Sequence, residues 1–94
     1  MRQGRRAGSR TMVVHLWTPE GDGPVRVGFV VSKAIGSAVI RNRVKRRLRH
    51  LAREQISSLP GSAVLVVRAL PPAAEASYAD LGLDLSSLLR RVAP

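Results

Sequence analysis

Ninety-four residues carry 16 Lys or Arg against 6 Asp or Glu, a net charge of +10, and no cysteine. A chain of this length forms one domain that buries about 60–65% of its unfolded surface, a real but small core. The charge points to RNA, DNA or an acidic surface as partner; the lack of cysteine excludes a disulfide framework or a Cys-based zinc site and makes the cytoplasm the expected location.

Residues 1–10 hold Arg2, Arg5, Arg6 and Arg10 with Gly4 and Gly8 and no apolar period. They are expected to form an irregular basic arm ahead of a globular body over 11–94. From 11 to 18 the chain alternates: Met12, Val14 and Leu16 fall on one side and Val13, His15 and Trp17 on the other, the period of a half-buried strand. The Pro- and Gly-rich run 19–24 is a turn. A second strand is predicted over 25–32, with Val27, Phe29 and Val31 on its apolar side and Arg26, Gly28, Val30 and Ser32 on its mixed side. These two strands are expected to pair with each other antiparallel, one face in the core and one free for contact.

Ser37 is placed to cap a helix reaching about residue 57, about 30 Å long, with Ile40, Val44, Leu48 and Leu51 as its buried stripe. Pro60-Gly61 stops it. Residues 63–69 then read as a Val-rich strand suited to a sheet interior, closed by Pro71-Pro72. Ser77, with Asp80 three positions on, resembles a capping box and opens a last helix whose stripe is Tyr78, Leu81, Leu85, Leu88 and Val92; Gly82 weakens it slightly. The fold class predicted is α+β: a small sandwich of one sheet and two helices. No apolar run approaches the ~18–20 residues that span a bilayer, so no membrane partner is expected.

The middle helix carries Arg41, Arg43, Lys45, Arg46, Arg47, Arg49 and Arg53, with Glu54 as its one nearby acid. Like charges one turn apart, as at Arg41/Lys45/Arg49, repel by roughly 0.2–0.5 kcal/mol per pair, so solubility alone does not explain them. A polyanion along that face converts the repulsion into attraction. A membrane-surface helix would place Trp, Phe and Leu opposite the charge, whereas the opposite stripe here is a core stripe flanked by strands. A second candidate surface is the sheet face with Val13, His15, Trp17, Arg26 and Ser32, where rings and cations together suit single-stranded RNA. The competing expectation is that Val13 and Trp17 pack beneath the basic arm or the last helix. No protein-only catalytic site assembles: the acids are dispersed, His15 and His50 lie on different elements, and no metal-ligand spacing or phosphate-binding glycine loop occurs. His50 on the basic helix is expected to be solvated or to face RNA.

The run Gly28-Phe29-Val30-Val31-Ser32-Lys33-Ala34-Ile35-Gly36-Ser37-Ala38-Val39-Ile40-Arg41-Asn42-Arg43-Val44-Lys45-Arg46-Arg47-Leu48-Arg49 resembles the signature of the bacterial ribonuclease P protein subunit. The resemblance continues from about Arg5 to Val92 and discriminates against a ribosomal-protein-like RNA-binding module, the main alternative. It implies an α/β sandwich with a left-handed β-α-β crossover, although general chain chirality favours the right-handed one. It also implies membership of a heterodimeric ribonucleoprotein that removes the 5′ leader from precursor tRNA, with catalysis and Mg²⁺ in the RNA subunit and no cofactor on this chain. Arg41, Asn42, Arg43, Lys45, Arg46 and Arg49, with Lys33, would dock on the RNA subunit. The cleft between sheet and helix, with Val13, His15, Trp17, Arg26 and Ser32, would take the leader. Positive charge there would lower the magnesium requirement and broaden substrate use. The family usually begins with a helix bearing aromatic residues that line this cleft, and the sequence begins after that helix would end, so the expectation is either a truncated start or an incomplete cleft. His15 stands where an aromatic ring is common, and Ala34 and Ser37 replace a usual lysine and asparagine.

Overall fold

The computed structural model describes residues 4–19, 21 and 23–93. Met1, Arg2 and Gln3 of the expected arm, and Glu20 and Asp22 of the predicted turn, lie outside the described residues. Four strands, β1 (Arg5–Gly8), β2 (Met12–Trp17), β3 (Arg26–Val30) and β4 (Val64–Ala69), form one sheet, and two helices, α1 (Ala38–Gln55) and α2 (Tyr78–Val92), complete the α+β architecture. Short 3₁₀ turns at Lys33–Ile35, Ile56–Ser58 and Pro71–Ala74 join them.

The sheet order is β1-β2-β4-β3. β2 is antiparallel to β1 and to β4, while β3 runs parallel to β4. The expected antiparallel pairing of the second and third strands is therefore wrong: the Val-rich β4 inserts between them. Physically, β4 is the strand able to be buried by neighbours on both edges, with its Leu65 and Val67 fully buried, and it outcompetes the local hairpin. α1 is then the crossover between two parallel neighbours, β3 and β4, as such a pair requires.

The expected basic arm is also corrected. Arg5–Gly8 is a strand, because β2 offers it a ladder from Arg5↔Leu16 to Gly8↔Val13 and α2 anchors it at both ends. Arg5 Nη1 donates to the Ala93 carbonyl (3.3 Å) and Arg91 Nη1 donates to the Gly8 carbonyl (3.5 Å). The first bond sets a cation at the negative end of α2. The β1–β2 turn is held by Ser9 N–H to the Met12 carbonyl (2.8 Å) and by Asp84 of α2. The Asp84 Oδ2 accepts from Ser9 Oγ (3.3 Å) and from the hydroxyl of Thr11, the one polar side chain sealed among the described core residues.

Both helices cover one face of the sheet. Met12, Val14 and Leu16 of β2 and Leu65 and Val67 of β4 meet Val44, Leu48 and Leu51 of α1 and Leu81, Leu85 and Leu88 of α2 in a continuous core. Each fully buried leucine there stabilises the fold by about 1.5–3 kcal/mol relative to exposure. The helix starts are as predicted: Ser37 Oγ accepts from Ile40 N–H (3.4 Å) and Ser77 Oγ from Asp80 N–H (3.0 Å). Tyr78 departs from its predicted stripe and is 41% exposed, while Leu89 is buried instead. Gly82 marks the α1–α2 contact, since a Cβ there would sit 3.1 Å from Leu51 Cδ2.

Candidate nucleic-acid interface

The charged side chains of α1 divide by direction. Asn42, Lys45, Arg46 and Arg49 recur at i, i+3, i+4 and i+7, the spacing that keeps residues on one face, and together they line a polar hollow of ≈ 340 Å³ on the outer surface. Arg43 and Arg47 lean sideways toward the segment before α2. The Arg43 Nη2 donates to the Ala74 carbonyl (3.5 Å) and the Arg47 Nη1 to the Ala76 carbonyl (3.4 Å). Arg41 is half-buried, and its Nε is sealed without a hydrogen-bond partner among the described residues. Lys33 is exposed in the 3₁₀ turn ahead of the helix, and His50 is exposed on α1. The hollow thus unites four of the predicted docking residues, with Arg43 directed to one side of it.

The second surface is the sheet face turned away from the helices. Register places its residues in three cross-strand rows: Trp17, Val64 and Arg26; Arg6, His15, Val66 and Gly28; Gly8, Val13, Arg68 and Val30. The expectation that Val13 and Trp17 pack under the arm or the last helix does not hold, because α2 lies on the opposite face and β1 lies beside β2 rather than over it. The same placement corrects the predicted cleft: between this sheet and its helices there is core, and Val13, His15, Trp17 and Arg26 stand on the open side. Ser32 lies beyond the end of β3, exposed, and is outside the three rows.

Two cations of this face, Arg6 and Arg68, went unpredicted. Arg68 had a readable signal in the two-residue period of β4, which sets it on the side of Val64 and Val66; Arg6 had none, because nothing local marks β1 as a strand. With Arg26 they make three exposed guanidinium groups around the two rings, none bonded to a described residue. Trp17, 47% exposed, has a hollow on either side. One of ≈ 500 Å³ lies toward Gly4, Arg6 and His15, and one of ≈ 330 Å³ toward Pro24, Arg26 and Val64. Rings flanked by space, and cations with no acid beside them in the three described rows, suit an unpaired strand whose bases stack while its phosphates meet arginine.

The histidine and acidic side chains of the described residues are dispersed. No three His, Asp or Glu side chains converge, and Asp84 is engaged by Ser9 and Thr11. The arrangement can hold RNA on two faces, one helical and one formed by the sheet.

The ribonuclease P family model matches residues 1–93. The ribonuclease P protein component of a Nocardioides species is 69% identical over 94 residues, a match that covers 98% of this chain and 80% of that protein. Among solved structures, the Staphylococcus aureus RNase P protein superposes with a TM-score of 0.83 at 27% identity, covering 95% of this chain and 81% of that one. The Thermotoga maritima RNase P protein gives 0.80 at 26% identity, covering 94% and 83%. With sequence and fold in agreement along nearly its whole length, the chain belongs to the family of bacterial ribonuclease P protein components.

Proposed function

We propose that this chain is the protein subunit of a heterodimeric ribonuclease P ribonucleoprotein in the cytoplasm, where it assists endonucleolytic removal of the 5′ leader from precursor tRNA. Its α1 face binds the RNA subunit, and the open sheet face receives the leader as a single strand. The observation that carries this is the division of the chain's cations between two separate surfaces, the Asn42, Lys45, Arg46 and Arg49 hollow and the rows around His15 and Trp17.

In this reading the RNA subunit holds the Mg²⁺ ions, which supply an activated water and stabilise the leaving oxygen. The chain's own contribution is binding. Arginines beside the leader offset phosphate repulsion, so the precursor is held at lower magnesium concentration, and ring stacking tolerates varied leader sequences. The test is leader removal by a bacterial ribonuclease P RNA across a magnesium titration, with and without this protein. The protein should shift activity to lower magnesium and tighten precursor binding more than mature tRNA binding; identical titrations would overturn the proposal.

A further inference from the structure

Arg49 belongs to two surfaces at once. On one side it lines the polar hollow with Asn42, Lys45 and Arg46. On the other it rims a separate groove of ≈ 300 Å³, whose apolar walls are Val27 and Phe29 of β3, Ala52 of α1 and Ile56 just after α1, with Arg53 also on the rim. Among the described strands β3 is at the edge, paired with β4 alone, so the groove opens sideways at the margin of the sheet. Val27, Phe29 and Ile56 are only partly buried, and neither rim arginine bonds a described residue.

An apolar group with negative charge along the α1 rim, where Arg49 and Arg53 stand one turn apart, complements this groove. An unpaired nucleobase meets these conditions: its ring enters the groove, and its flanking phosphates meet Arg49 and Arg53. A base within a duplex cannot, because its faces are already stacked. Continuity decides between RNA and other partners. Arg46, Arg49 and Arg53 follow one another at spacings of three and four along α1, so a strand whose phosphates sit in the polar hollow passes Arg49 directly into the groove.

We infer that this groove takes a single unpaired base of the RNA subunit, making docking partly apolar rather than wholly electrostatic. The inference rests on the proposed role of α1 as the RNA-docking helix. An acidic peptide adding to the free edge of β3 would use the same rim charges, but it has no counterpart to the shared hollow.

The test compares the full chain with Ile56→Ala, Arg53→Ala and the double charge reversal Arg43→Glu/Arg46→Glu in binding to a bacterial ribonuclease P RNA over a salt series. Ile56→Ala should weaken binding about tenfold, as for loss of one base contact, with no change in salt slope, because no charge is removed. Arg53→Ala should reduce the slope by roughly 0.7–0.9. One RNA base should be protected from base-directed chemical modification by the wild-type protein and exposed again with Ile56→Ala. A photoreactive side chain at position 56 should crosslink to the same nucleotide, a readout that does not depend on how well the alanine variant folds. Wild-type affinity for Ile56→Ala without a protected base, or a crosslink to protein instead of RNA, overturns the inference while the charge reversal still weakens binding. If the reversal is also without effect, the docking role of α1 has failed and this inference falls with it.

Discussion

Arg6 and His15 stand directly opposite each other across the β1–β2 ladder, on the face of the sheet away from the helices. Side chains in such a pair lie about 4.5–5.5 Å apart at Cβ, so one cation and one flat ring form a single unit of surface. Arg6→Ala should therefore weaken binding of leader-bearing precursor tRNA and lower its salt slope by roughly 0.7, the value for one single-strand phosphate. Binding of mature tRNA should barely change. Trp17→Ala should cost about 1–3 kcal/mol on the precursor alone. Equal losses on both ligands, measured side by side at matched salt, would return these residues to a general role.

Charge reversal on α1 should act on the other partner. Arg43→Glu/Arg46→Glu should reduce affinity for the RNA subunit by more than tenfold and flatten its salt dependence, since each lost phosphate contact removes roughly 0.7–0.9 from the log–log slope. Both residues are exposed, and Arg43 contributes to the fold one long bond to the Ala74 carbonyl (3.5 Å). Stability should accordingly change by no more than about 0.5 kcal/mol per site. Denaturation and RNA-binding titrations on the same preparation separate the two effects.

Features that rest on local chemistry were legible in the sequence. Ser37 and Ser77 announce both helices, and the alternation of Met12 to Trp17 gives the correct faces of β2. What escaped is what depends on distant partners. β1 has Ala7 as its only buried residue, so its ladder comes from β2 and its anchors from Ala93 and Arg91. That β4 is an interior strand was legible in its Val-rich run; that it separates β2 from β3 was not, because adjacency in the chain favours a hairpin and only burial on both edges of β4 reverses that preference. Gly82 looked like a weak point in α2, yet its missing Cβ is what lets Leu51 approach.

The caps give a direct measure of the local part. Ser77→Ala removes the acceptor for Asp80 N–H and should destabilise the protein by about 1 kcal/mol, lowering the melting temperature by about 4–8 °C for a domain of this size. RNA binding should be unaffected below the transition. A melting temperature within experimental error of wild type would mean that water replaces the cap without loss.

Asp84 tests the non-local part. It accepts from Ser9 and from the sealed Thr11 hydroxyl, tying the β1–β2 turn to α2. Asp84→Ala leaves Thr11 with Ser9 as its remaining side-chain partner and should cost about 1–3 kcal/mol. Loosening should concentrate in β1, read as faster amide exchange at Arg6 and Ala7 than in β4. Uniform acceleration across the sheet would show that Asp84 supports the whole domain rather than its edge.

Gly28 separates binding from stability most cleanly. It ends the row Arg6, His15, Val66, Gly28, and a Cβ built on it meets no atom within 4 Å. A β-branched residue there suits a strand better than glycine does, so Gly28→Val should leave stability unchanged or slightly raised in thermal denaturation. The new side chain would nevertheless stand on the open face beside Val66, where the leader is proposed to lie. Affinity for leader-bearing precursor should fall several-fold, with binding to mature tRNA and to the RNA subunit retained. If precursor binding is also retained, the leader does not cross the β3 end of the sheet, and its path is confined to the β1–β2 side around Arg6, His15 and Trp17.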